Sequence, residues 1–268
     1  MPSKVIHGIS VNYDPSERET AELISDAVER ALNLIQDKWG LGKPEDCQMY
    51  IMTTWRGFIF QSAPWIWRIS LVISYPFWSK RARRMWPYSA AWTQRYGRRV
   101  VIGIKPPRLL EVSDKSIGSL MYVEEQDMNI KIQHLTCHEL THACSAHLKL
   151  PAWLNEGLAA VTVDRFLEKQ TIRTDTLDLL SRFKPQRRPP TYRQLAHMDG
   201  ETIAYYSVLG YWFVRYLEEE HPGFLNDLFS SSSDARILDQ AIAAQLDVVA
   251  ADLWSKAPGL ITNHFNRI

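Results

Sequence analysis

Residues His138-Glu139-Leu140-Thr141-His142 form an H-E-x-x-H pattern, and no other stretch constrains the chain as tightly. Residues four apart on a helix lie one above the other on a single face. His138 and His142 can therefore offer two imidazole nitrogens to one metal ion. Glu139 is offset by one residue, beside the ligands, where a carboxylate can reach a water held by the metal. Two histidines are an incomplete set, because a catalytic zinc takes three protein ligands and keeps one position open. The rest of the chain must supply the third.

The order of elements around the pattern narrows the search. A helix is predicted from near Asp127, a suitable N-cap, through both histidines to about His147. Pro151 can open the next helix, which reads Trp153-Leu154-Asn155-Glu156-Gly157-Leu158-Ala159-Ala160-Val161. A turn at Lys149-Leu150-Pro151 would fold this second helix back on the first and face Glu156 towards the histidine pair. Gly157 beside it permits close helix packing. His134, one turn before His138, can also touch the site, but a structural or solvent role is the favoured reading.

The two helices carry a resemblance. His138-Glu139-Leu140-Thr141-His142-Ala143, followed by Leu150-Pro151-Ala152-Trp153-Leu154-Asn155-Glu156-Gly157-Leu158-Ala159, resembles the gluzincin metallopeptidases and, more narrowly, the peptidase MA-like domain family. The similarity extends to Trp92–Leu110, to the tyrosine-bearing stretch Tyr205–Leu217 and to Ala241–Trp254. The resemblance implies a zinc-dependent metallopeptidase, an endopeptidase acting on peptide or protein substrates. In it His138, His142 and Glu156 hold Zn2+, Glu139 is the catalytic base, and a tyrosine, Tyr206 in preference to Tyr205, stabilises the oxyanion. Two departures stand out. A Trp- and Arg-rich insertion at about 57–97 interrupts the family pattern. Ala160 stands where the thermolysin-like gluzincins place an acidic residue, so the partner that orients a metal histidine must come from elsewhere.

The expected architecture is α+β: a zincin-like metallopeptidase with a small N-terminal mixed β-sheet and a helix, the active-site helix, and a mostly helical C-terminal half. Residues 1–126 and 127–268 are read as the two parts of one peptidase unit. Val5–Tyr13 alternates as a strand. Asp14 caps a helix that carries Ala21, Ile24, Val28, Ala31 and Ile35 at helical spacing and stops at Gly40. Gln48–Thr53 and Ser119–Val123 read as short strands and Arg99–Lys105 as a central one. Residues 57–97 show no clear period, 182–193 read as a loop, and Ser230–Ser233 as a polar link.

Composition matters here through its unevenness. Apolar residues make up 46% of the 268, an ordinary globular share, so a buried core is expected. The net charge of +1 hides a segment between Cys47 and Leu110 with eleven Lys and Arg, six of the ten tryptophans and no Asp or Glu. The remainder is consequently acidic, at −10. Three readings of the insertion stay open: an elaboration packed on the main body, a membrane-surface element with interfacial tryptophans and basic residues near anionic lipid, and a nucleic-acid surface. The last is the least favoured. A protein of another class, associated with a membrane surface or nucleic acid and keeping a structural metal, is the competing function. Cys47, Cys137 and Cys144 form no CxxC pair and read as buried hydrophobes. The N-terminus has no long apolar core and no apolar run reaches about 18 residues, so a cytoplasmic protein is expected, with peripheral membrane contact as an option the insertion leaves open.

Overall fold

Alternating apolar residues open the chain as a hairpin, where one strand was expected. In the computed structural model, which describes residues 2–87, 89–110, 118–182, 188–195, 197–231 and 235–266, β1 (Ser3–Ile6) pairs antiparallel with β2 (Ile9–Asn12). His7 and Gly8 between them both have positive φ, 49° and 77°. That is the backbone of a two-residue turn whose twist matches the flanking strands. Asp14 does cap the next turn, accepting from the Ser16 amide, with Pro15 at its start. Helix α1 (Arg18–Trp39) follows, and Gly40 ends it at φ 65°.

The chain divides into two compact units: Met1–Leu34, Gly42–Ser119 and Glu124–Cys144 in the first, Ile35–Leu41, Leu120–Val123 and Ser145–Ile268 in the second. In sequence order, a five-stranded mixed sheet precedes a mostly helical half.

The first unit holds the sheet, ordered β1-β2-β3-β5-β4, with β3 (Asp46–Ile51), β4 (Ala91–Tyr96) and β5 (Arg99–Ile104). β2, β3 and β5 run parallel, whereas β1 and β4 are antiparallel edges. β5 is central and almost wholly buried. The α1 residues Ala21, Ile24, Val28 and Ala31 are at most 1% exposed. Burying each larger aliphatic of this kind stabilises by about 1.5–3 kcal/mol.

The insertion is regular. It folds as α2 (Trp55–Ser62), α3 (Trp65–Ile73) and α4 (Tyr75–Met85) before β4. Its near-continuous apolar composition concealed the period, but the start signals are present: Thr54 caps α2 by accepting from the Gly57 amide at 3.1 Å, and prolines stand at the starts of α3 and α4. Tyr50, Met52, Trp55, Phe58, Ile59 and Val101 form a core cluster against which Leu71, Tyr75, Trp78, Trp86 and Trp92 pack. Most of the segment's tryptophans therefore serve the interior. The unit closes with α5 (Met128–Ser145), assigned to it as far as Cys144.

The second unit holds α6 (Ala152–Leu167), α7 (Leu177–Arg182), α8 (Tyr192–Leu195), α9 (Gly200–Glu220), α10 (Phe224–Ser231), α11 (Ala235–Gln245) and α12 (Leu253–Phe265). Ser119–Val123 is no strand: a short helical turn at Ser119–Met121 leads to an isolated bridge between Tyr122 and Ile172. Of the expected loop and link, residues 183–187 and 232–233 lie outside the described residues. α6 and α9 cross backbone to backbone. A Cβ on Gly157 would overlap the Gly210 carbonyl oxygen, and one on Gly210 would overlap the Trp153 carbonyl oxygen. Gly157 thus permits a close approach, as its sequence context suggested, but the helix it admits is α9 rather than α5. Trp153, Phe213 and Trp254 pack edge to face beside the crossing, with centroids 4.7 to 5.6 Å apart.

Candidate metal centre

α5 begins where its cap predicts: Asp127 Oδ1 accepts from the Asn129 amide at 2.7 Å. Ten residues later the four-residue spacing brings the two imidazoles together. Their Nε2 atoms are 3.0 Å apart, and the rings stand at 89° with centroids 4.6 Å apart. Two nitrogens, each about 2.0–2.1 Å from one tetrahedral zinc, would be about 3.3 Å apart. The separation found here is close to that, so both imidazoles could reach one ion.

Glu156 completes the set. One donor atom from each of His138, His142 and Glu156 lies within 4.8 Å of the others, a group that could hold a metal ion. Two imidazoles and a carboxylate are three ligands, which would leave a fourth position of a tetrahedral ion to water.

The Glu156 carboxylate is held by a relay that sequence reading missed. Ser145 Oγ donates to Asn155 Oδ1 at 2.9 Å, Asn155 Nδ2 donates to the Tyr192 hydroxyl at 2.7 Å, and Tyr192 donates to Glu156 Oε1 at 2.7 Å. Each donor proton is used in one direction, so the last bond orients Glu156 and fixes which of its oxygens is engaged. Outer partners of this kind tune ligand basicity and geometry. Tyr192 owes its place to a capping box: Thr191 Oγ1 accepts from the Gln194 amide at 3.4 Å, and Gln194 Oε1 accepts from the Thr191 amide at 2.8 Å. This helix start falls at the end of a stretch expected to be a loop, 182–193, and neither it nor its link to Glu156, 36 residues away, was read from the sequence.

Glu139 is only 7% exposed. Thr93 of β4 donates to its Oε2 at 2.5 Å, so an edge strand of the sheet sets the direction of this carboxylate. Thr93 had no signal in the sequence, because β4 lies within residues 57–97, where no clear period was read. The neighbours Thr136 and Thr141 satisfy their buried hydroxyls within α5, on the Ile132 and Cys137 carbonyls.

Tyr206 lines a small cavity together with Glu156, Trp153, Pro189, Pro190 and Leu195. Burial raises its phenol above the ordinary value, so it remains a hydrogen-bond donor at neutral pH. Tyr205 is pushed up to about 12, by burial first and then by Tyr206. The two rings meet edge to face at 5.0 Å. His134 stacks on His138 with centroids 6.3 Å apart. Cys47, Cys137 and Cys144 are all buried. Burial is the main cause that raises their thiols, Cys47 and Cys144 to about 12, as fits cysteines that pack as small hydrophobes.

No family model, no curated protein and no solved structure matches this chain.

Proposed function

We propose that the chain is a zinc-dependent metallopeptidase of zincin-like fold that hydrolyses peptide bonds in peptide or protein substrates. One observation carries this reading. Three residues of ligand type, His138, His142 and Glu156, converge within 4.8 Å, while the adjacent Glu139 is held separately, by Thr93. A structural metal needs no such second carboxylate, whereas hydrolysis does.

When bound, zinc would supply Lewis-acid chemistry, lowering the pKa of water towards about 7 and polarising the scissile carbonyl. The residues of the chain do the rest. Glu139 accepts a proton from the attacking water and returns it to the leaving amine. The water oxygen bonds to the acyl carbon as the C–N bond breaks, giving a carboxylic acid and an amine. The Thr93 hydroxyl keeps the Glu139 carboxylate aimed. The Ser145–Asn155–Tyr192 relay does the same for Glu156. Tyr206, protonated and beside Glu156, is the donor available to a developing oxyanion.

Glu139→Gln separates this reading from a purely structural metal. Metal analysis of the purified variant is expected to find the zinc content of the unaltered protein. Cleavage of a peptide library is expected to fall by about 10²–10⁴-fold, the usual contribution of a general base. Turnover retained in a zinc-loaded variant refutes Glu139 as the base, and zinc absent from the unaltered protein refutes the centre itself.

A further inference from the structure

α3 carries two apolar faces, and only one is used. Leu71 packs towards the core cluster, and Trp67 meets Tyr96 at 5.8 Å. On the other side Trp65, Ile66, Ile69, Val72 and Ile73 are 54 to 74% exposed. At 3.6 residues per turn these five positions fall within an arc of roughly 120°. The outer face of a soluble helix is normally polar; here it is the more apolar one. The single charge of α3, Arg68, is turned to the end of α2, where Nε donates to the Ala63 carbonyl at 2.8 Å and Nη2 to that of Gln61 at 3.1 Å. The stripe therefore contains no charge.

The next helix extends it. Phe77 is 87% exposed. Lys80, Arg83 and Arg84 are also exposed, and Lys80 and Arg84 share the Phe77 face at spacings of three and seven. The hairpin is anchored: Trp78 Nε1 donates to the Leu71 carbonyl at 3.0 Å, and Trp55, Tyr75 and Trp78 stack together beneath it. The patch is thus a held surface.

We propose that the α3–α4 hairpin docks the protein onto an anionic lipid membrane, with the Trp65–Phe77 stripe at the headgroup boundary and Lys80, Arg83 and Arg84 against the lipid phosphates. Charge complementarity selects this partner: the whole segment from Cys47 to Leu110 lacks an acidic residue, so it is matched to a negative surface. The apolar stripe selects lipid over a polyanion such as RNA, which would meet the basic residues but leave five aliphatic and aromatic side chains in water. At nine and eleven residues, α3 and α4 are too short to span, and no helix among the described residues is long and apolar enough to cross a membrane. The docking therefore lies in the interface plane. It is independent of the proposed peptidase chemistry.

Flotation of the full chain with phosphatidylcholine vesicles, with and without phosphatidylserine, tests this. Binding to the anionic vesicles is expected, with a blue shift of tryptophan emission. Lys80→Ser with Arg83→Ser and Arg84→Ser is expected to weaken it about fivefold per charge removed. Trp65→Ser with Ile69→Ser and Ile73→Ser is expected to abolish the blue shift while far-UV circular dichroism is unchanged. Four results overturn the proposal: no flotation with anionic vesicles, equal binding to neutral vesicles, binding indifferent to the apolar substitutions, or a stripe already covered by a second copy, seen as a dimer in sedimentation that the apolar substitutions dissociate.

Discussion

α6 and α3 are both apolar helices, yet α6 buries eleven residues and α3 none. Hydropathy alone would put α3 in the core ahead of α6. What separates them is backbone access. α6 has Gly157, and α9 has Gly210 to meet it, so the two backbones touch and the flanking side chains interlock. α3 has no such seat and rests on Leu71 and on the half-exposed Trp67 against Tyr96, which leaves a whole face to solvent. The comparison teaches that an apolar helix becomes core where a partner backbone can approach it, and becomes a surface for something else where none does.

The sharpest way to break this contrast is Gly210→Val. Its side chain would meet the Trp153 carbonyl, which cannot move without α6. The loss is expected to be about 3 kcal/mol or more in urea unfolding; a loss below about 1 kcal/mol would mean the helices are not in backbone contact. Leu158→Ala, at a fully buried α6 position, is expected to lower stability by about 3 kcal/mol. Between core and surface stands Tyr192, 46% exposed but bonded to Glu156. Tyr192→Phe is expected to weaken zinc binding about tenfold in competition titration, with a stability change within about 0.5 kcal/mol. An unchanged zinc affinity would reduce the relay to ornament. The smallest effect belongs to α3: Ile69→Ala is expected to shift stability by no more than about 0.5 kcal/mol. If it matches Leu158→Ala, the outer face of α3 is covered, and the contrast fails together with the vesicle proposal.

The helical and strand periods made much of the fold readable. α1, β3, β5, α5 and α6 fall within a few residues of where periodicity, caps and prolines put them. The failures share a cause. The β1–β2 turn depends on His7 adopting a positive φ that its residue type does not announce. Within the insertion α2 and α3 are apolar on nearly every side, so no polar face marked the helical repeat there. At the metal centre the ligand-type residues were legible because they sit at short spacings on two neighbouring helices. Thr93 and Tyr192 were not, because each reaches the centre from an element 46 or 36 residues away in sequence.

The amino-acid order by itself determined the local chemistry of this protein. Helical spacing of four residues brings two imidazoles side by side wherever α5 forms, and a run of tryptophans and arginines without an acidic residue cannot be neutral to its surroundings. Only the tertiary structure decided how the two glutamates differ, one aimed by a strand hydroxyl and one by a relay of three side chains. It also decided that Trp65 faces out while Trp55 and Trp78 face in. Hydrogen bonds and burial act through space, and distance along the chain carries no record of them.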